Sequence, residues 1–129
     1  FIKGITLSLY QALMPFVTAL PEVTAINVNT APLDILMSLS PTMTLDAAKK
    51  IISRRNQGYF VNKVDFTNFE VVKSHGITEN KITTSSNYFL VETHVVTKDQ
   101  HMILYTLLMR AIKDTKAKVV IVWQSKGTL

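Results

Sequence analysis

Three histidines, nine carboxylates and fourteen Lys or Arg are the residues of this 129-residue chain that could do chemistry. His75, His94 and His101 would make a zinc triad only if they converged on one tetrahedral centre. His94 and His101 flank one hairpin, while His75 lies in another segment, so all three read as surface or rim histidines. Acid–base catalysis needs paired carboxylates. Asp34, Asp46 and Asp65 instead fall in the first turns of expected helices, where capping or dipole compensation accounts for each. Glu79, Glu92, Asp99 and Asp114 are scattered and match no calcium loop. There is no Gly-x-Ser-x-Gly and no phosphate loop. Cysteine is absent, which excludes disulfides, thiolate chemistry and a Cys-based zinc site. The expectation is a protein that is not an enzyme, with no catalytic, cofactor-binding or metal-ligating residue.

Charge and composition narrow the class further. The net charge of +5 permits attraction to nucleic acid or an anionic surface. The basic residues form no dense run, so a solvated, slightly basic surface accounts for them. With 47% apolar residues the chain can bury a core. No apolar run reaches the roughly 20 residues that span a bilayer. The longest, around Met102 to Met109, is too short. The chain begins at Phe1 rather than Met, as expected of a processed product or a part of something longer.

The elements that must position these residues fall into two parts, residues 1–83 and 84–129. In the first, apolar spacing is helical and caps are frequent. Ser8 is expected to cap a helix carrying Leu9, Ala12, Leu13 and Phe16, which Pro15 ends. Ile26 to Pro32 is extended, with Thr30 capping a helix over Leu33 to Leu39 and Pro32 in its first turn. Thr44 caps a longer helix whose apolar stripe is Leu45, Ala48, Ile51 and Ile52. Lys49, Lys50, Arg54 and Arg55 lie off that stripe. Gly58 stops the helix as a left-handed residue, and Tyr59 and Phe60 fold back. Asn62 and Asp65 resemble a capping box for a helix burying Val64, Phe66, Phe69 and Val72, ended by Gly76. Thr78 starts a short turn. Beyond it, Tyr88–Thr97, His101–Ile112 and Ala117–Gln124 read as strands joined by Lys98-Asp99-Gln100 and Lys113-Asp114-Thr115-Lys116. Phe60, Phe66, Phe69, Met102, Tyr105 and Met109 occur at core spacing. The fold class is α+β: a small helical domain of helix-hairpin-helix or SAM-like type, then a three-stranded antiparallel sheet.

Two known groups share the central motif. ComEA-type DNA receptors carry Ile-Asn-x-Asn-Thr-Ala and a helix ending in Arg before Gly-x-Phe, matched here by Ile26, Asn27, Asn29, Thr30, Ala31, Arg55, Gly58 and Phe60. Their hairpin glycines let backbone amides approach a phosphate. Here the hairpin is Ser40-Pro41-Thr42-Met43-Thr44, without glycine, which argues against nucleic acid. The stretch more closely resembles the minor pseudopilin K (GspK) family of bacterial type II secretion. That pattern adds Leu20-Pro21, Pro32 after Ala31, Leu36 in the first helix, and the Ser40-Pro41 loop.

The resemblance implies a structural subunit in protein export, at the tip of the periplasmic pseudopilus. Its implied partners are the minor pseudopilins I and J, with secreted substrate a further possible contact. It implies a long N-terminal helix outside this chain, whose first half anchors the full-length protein in the inner membrane and whose remainder packs on a pilin-like sheet. That helix would cover the apolar face a three-stranded sheet leaves open. Some members bind calcium, and no ligand carries over to residues here. The alternative is a helix-hairpin-helix module binding DNA through the Thr44 helix with Lys49, Lys50, Arg54 and Arg55. Replacing Pro41-Thr42-Met43 with Gly-Ile-Gly is expected to raise affinity for duplex DNA. Equal binding by the unmodified chain at physiological salt would defeat the argument from the missing glycines.

Overall fold

The computed structural model describes residues 3–113 and 116–127. The chain divides between Thr84 and Ser85 into two compact units. The first holds helices α1 (Leu7–Leu13), α2 (Leu33–Ser38), α3 (Leu45–Gln57), α4 (Lys63–Asn68) and α5 (Glu70–Lys73). It also holds two very short strands, β1 (Ile26–Asn27) and β2 (Ile82–Thr83), and a 3-10 turn over Glu79–Lys81. The strands pair in parallel, Ile26 with Ile82 and Asn27 with Thr83. This pairing ties the beginning of the motif to the end of the unit.

Side chains from α2, α3, α4, α5 and both connecting loops meet in one core. Val28, Leu36, Ile51, Phe60, Phe66, Val72 and Ile82 are essentially inaccessible. Phe60 meets Phe66 edge to face, with centroids 5.1 Å apart at 84°, the arrangement that ring quadrupoles favour. Phe69 completes the aromatic group at 6.0 Å. Thr44 caps α3 as expected, its hydroxyl accepting from Ala47 N at 3.1 Å. Asn62 caps α4 by accepting from Asp65 N at 2.9 Å. The Asp65 carboxylate reaches back to Val61 N rather than to the cap residue itself.

Several local expectations are corrected. Thr6, not Ser8, caps α1, accepting from Leu9 N, and α1 buries none of its residues. Thr30 is no cap: the N-cap of α2 is Pro32, which has no side-chain donor or acceptor to offer. The buried stripe of α3 is Ala47, Ala48 and Ile51, with Leu45 turned outward. Gly58 has φ 176°, an extended rather than left-handed conformation. Tyr59 is exposed beside the buried Phe60. The helix expected after Asn62 is two, because Phe69 leaves the helical region (φ −61°, ψ 125°). Val64 faces solvent, while Phe66 before the break and Val72 after it are both buried. Gly76 does take a left-handed conformation, φ 60°.

The second unit is an antiparallel meander of β3 (Tyr88–Val96), β4 (His101–Lys113) and β5 (Lys116–Lys126), in that order. At the first turn Thr97 N donates to Gln100 O at 2.8 Å. The second expected turn, at Lys113-Asp114-Thr115-Lys116, lies partly outside the described residues. Pairing of β4 with β5 shifts between Leu107 and Leu108, whose partners are Trp123 and Ile121. Val122 is thus an extra residue, a bulge that reverses the alternation of β5 at that point. Leu90, Leu107 and Trp123 share one face, and Val91, Thr106 and Gln124 the other. On the second face Gln124 Nε2 donates to Thr106 Oγ1 at 3.0 Å. Phe89, Val91, Val95, Met102, Val119 and Ile121 belong to that face and are exposed. Met102 is therefore not a core residue, contrary to its spacing.

Leu36 is fully buried in the helical unit. Leu36→Ala is expected to destabilise that unit by about 2–5 kcal/mol, read from denaturant melting. A loss below about 0.5 kcal/mol would mean the α2 face packs against a compliant surface.

Candidate assembly site

The motif residues converge on one turn and on the polar groups that hold it. Residues 27–31 leave β1 and reverse before α2. Within the turn, Thr30 N and Ala31 N both donate to Asn27 O. The Asn27 side chain accepts from Asn29 N at 3.0 Å, a local turn that asparagine favours. Val28 N donates to Thr83 O at 2.9 Å, extending the parallel pairing by one bond.

Two side chains then fasten the turn to the rest of the unit. Asn29 uses both ends of its amide. Its Oδ1 accepts from Phe60 N at 2.8 Å. Its Nδ2 donates to Phe60 O at 2.9 Å and Thr84 O at 3.2 Å. The last turn of α3 contributes Arg55, whose Nη1 donates to Val28 O at 2.9 Å and Ala31 O at 2.7 Å. Partial burial pulls the Arg55 pKa down through desolvation. Arg55 therefore points into the unit, against the expectation that it lies off the packed side of α3. Its neighbour Arg54 is engaged too: Nη1 donates to Gly58 O, and the guanidinium lies 5.2 Å from the Phe60 ring centroid. Lys49 and Lys50 are exposed.

The loop between α2 and α3 uses its own polar groups. Met43 N donates to Ser40 O at 3.0 Å and Thr42 N to Ser40 Oγ at 3.4 Å. Ser40 and Met43 are buried while Pro41 is exposed. Among the remaining motif residues, Ala31, Leu36 and Phe60 are core, Ile26 packs against it, and Thr30 and Pro32 are exposed. The motif is thus a device for shaping one turn around a core. Sequence reasoning missed Val28, fully buried at the centre of the turn, and Thr83 and Thr84, whose carbonyls receive it. The apolar Val28 between two asparagines was the available signal. Thr83 and Thr84 gave none, because their role is carried by backbone.

The histidines divide as expected from their segments. His75 Nδ1 lies 3.3 Å from Thr42 Oγ1, whereas His94 and His101 stack across β3 and β4 with centroids 5.5 Å apart. Among the described residues no group of three or more His, Asp or Glu converges on a single metal position.

Residues 26–85 match the family described as type II secretion system (T2SS), protein K. These bounds run from β1 to just past β2, enclosing the turn and its fasteners. This stretch is similar to protein K of the type II secretion system. The type II secretion system protein K of Pseudomonas aeruginosa is 32% identical over 110 residues, 85% of this chain. The chain spans about a third of that relative's length (32%). A solved structure, the GspK-GspI-GspJ complex of enterotoxigenic Escherichia coli, contains a chain of the same fold. It superposes with TM-score 0.68 at 18% identity, over 98% of this chain and 45% of that one. The α+β arrangement of short helices followed by a three-stranded antiparallel sheet is therefore a fold shared with a chain of that complex.

Asn29→Ala removes three hydrogen bonds and leaves the Phe60 amide and carbonyl short of partners. It is expected to lower stability of the helical unit by about 1–3 kcal/mol, measured by chemical denaturation. Arg55→Lys, which keeps the charge but loses the planar guanidinium, is expected to be destabilising as well. Wild-type stability in both variants would show that water replaces these fasteners without cost.

Proposed function

We propose that this chain is the assembling part of a minor pseudopilin, a non-catalytic subunit of type II secretion at the tip of the periplasmic pseudopilus. Its partners are the I and J subunits of the same system. The observation that carries this reading is the structural match to a chain of the GspK-GspI-GspJ complex, over nearly the whole of this chain. The family match across the turn motif supports it from sequence. In this reading the subunit works through shape and apolar surface. The helical unit supplies bulk that limits extension past the tip, and the sheet supplies an apolar face that association covers.

One exposed apolar face of the sheet, with Phe89, Val91, Val119 and Ile121, is the seat for a helix of the longer protein. That helix also provides the inner-membrane anchor. Arg110 adds a polar requirement there. Its guanidinium stands 6.0 Å from the Phe89 ring, and its Nε is buried without a hydrogen-bond partner. A covering element that brings an acceptor to Arg110 satisfies it. Nucleic acid is a poorer fit for this chain. Arg54 and Arg55 are spent on backbone carbonyls, and the loop amides that would approach a phosphate are used within the loop.

Mixing the purified chain with the I and J subunits of its own system is expected to give one discrete equimolar three-subunit complex by light scattering. In parallel, a pull-down on duplex DNA at about 150 mM salt is expected to retain none of it. Salt-dependent retention on DNA without a pseudopilin complex would transfer the assignment to the helix-hairpin-helix alternative.

A further inference from the structure

At the turn end of the β3–β4 hairpin, three side chains outside the turn motif form a connected line. The strand register puts Glu92, His94 and His101 on the same face: Glu92 lies opposite Tyr105, His94 opposite Ile103, and His101 opposite Val96. Glu92 Oε1 bonds to His94 Nε2. The other ring nitrogen, His94 Nδ1, stands 3.3 Å from His101 Nε2. The rings are near-parallel, 26° apart. About half of the Glu92 and His94 side-chain surface is open to solvent (48% and 49%).

We propose that this cluster is a surface site for a divalent transition-metal ion of the zinc class, ligated by His94 Nδ1 and His101 Nε2. Two nitrogens each about 2.0–2.1 Å from a tetrahedral ion stand about 3.3 Å apart, and that is the separation between these two nitrogens. In the metal-free pair one proton bridges the nitrogens, with one ring donating and the other accepting. When the ion binds, His101 takes its other neutral tautomer, with the proton on Nδ1, and a small turn of each exposed ring aims the two free lone pairs at the ion.

Glu92 is a positioning residue. By accepting from Nε2–H it fixes the neutral tautomer of His94 with the lone pair on Nδ1. This is the carboxylate–histidine–metal relay that orients imidazole ligands. Two strands held in antiparallel register set the spacing of the two rings. With two protein ligands the site is open, and water or a donor from a neighbouring protein completes the shell. The assignment does not depend on the pseudopilin reading, because it rests on the hairpin alone.

The test is isothermal titration of the chain with zinc chloride at neutral pH. The expected result is a micromolar site that is lost in His94→Ala and in His101→Ala, and weakened about 10-fold in Glu92→Gln. Circular dichroism melting of each variant checks that the sheet persists. Imidazole nitrogen spectra of the unmodified chain give a second readout that needs no variant. Zinc is expected to move the His94 and His101 resonances and leave His75, on the other unit, in place. Absence of binding at micromolar zinc, binding that survives both histidine replacements, or equal shifts at all three histidines would overturn the proposal. An unaltered affinity in Glu92→Gln would remove Glu92 from it.

Discussion

A tight turn packed against a core leaves backbone carbonyls and amides that no helix or strand ladder can serve, and residues 27–31, with Val28 and Ala31 buried, form such a turn. Each buried polar group left without a partner costs about 1–3 kcal/mol, a large share of the stability of a small domain. The chain meets this requirement with Asn29 and Arg55. Asn29 reads the backbone of Phe60 in both directions and also reaches Thr84. Arg55 supplies donors to Val28 and Ala31 at once. Because these partners come from β1, α3, the loop after α3 and the end of the unit, satisfying the turn fixes where each of them lies. Val28, Phe60 and Ile82 are then delivered to the same core.

The same fastening bears on the likeness to helix-hairpin-helix modules. A helix-hairpin-helix that grips DNA needs free amides in its hairpin and free cations beside it. Here the hairpin amides of Thr42 and Met43 close on Ser40. Arg54 and Arg55, the two most suggestive cations, hold carbonyls of their own chain. Arginine at the end of a helix favours such contacts, since its planar donors reach two acceptors and its charge suits the helix C-terminus. A pattern of residue types can thus be kept while its chemistry is turned inward.

The sheet obeys a different constraint. Three strands expose two faces and two edges, and a sheet of this size needs a cover on at least one face. The face that carries Phe89 and Val91 is broadly apolar, yet Thr106 is buried there and bonded to Gln124, and Arg110 is held beside Phe89. The bulge at Val122 changes which β5 residues belong to that face. Covering such a surface is favourable in proportion to the apolar area removed from water.

Much of this fold was legible in the sequence because local physics sets it. Thr44 and Asn62 mark helix starts through side-chain oxygens that reach amides three residues on. Alternating apolar residues and short polar turns specify three antiparallel strands, a pattern with contacts close in sequence. The resemblance of the central motif pointed to its family for the same reason, since the motif is contiguous. What the sequence could not show is settled by long-range contact. Ile26 pairs with Ile82 across most of the helical unit, and nothing local distinguishes Thr83 from its neighbours. The outward turn of Leu45, Tyr59 and Val64 follows from which side of each element faces the core. Arg55 looks solvated by type and spacing, but the carbonyls of Val28 and Ala31 draw it inward, and Gly58 is extended because Arg54 and the buried Phe60 hold that segment. Local propensity chose the elements, and the need to bury side chains and pair every backbone group chose their faces.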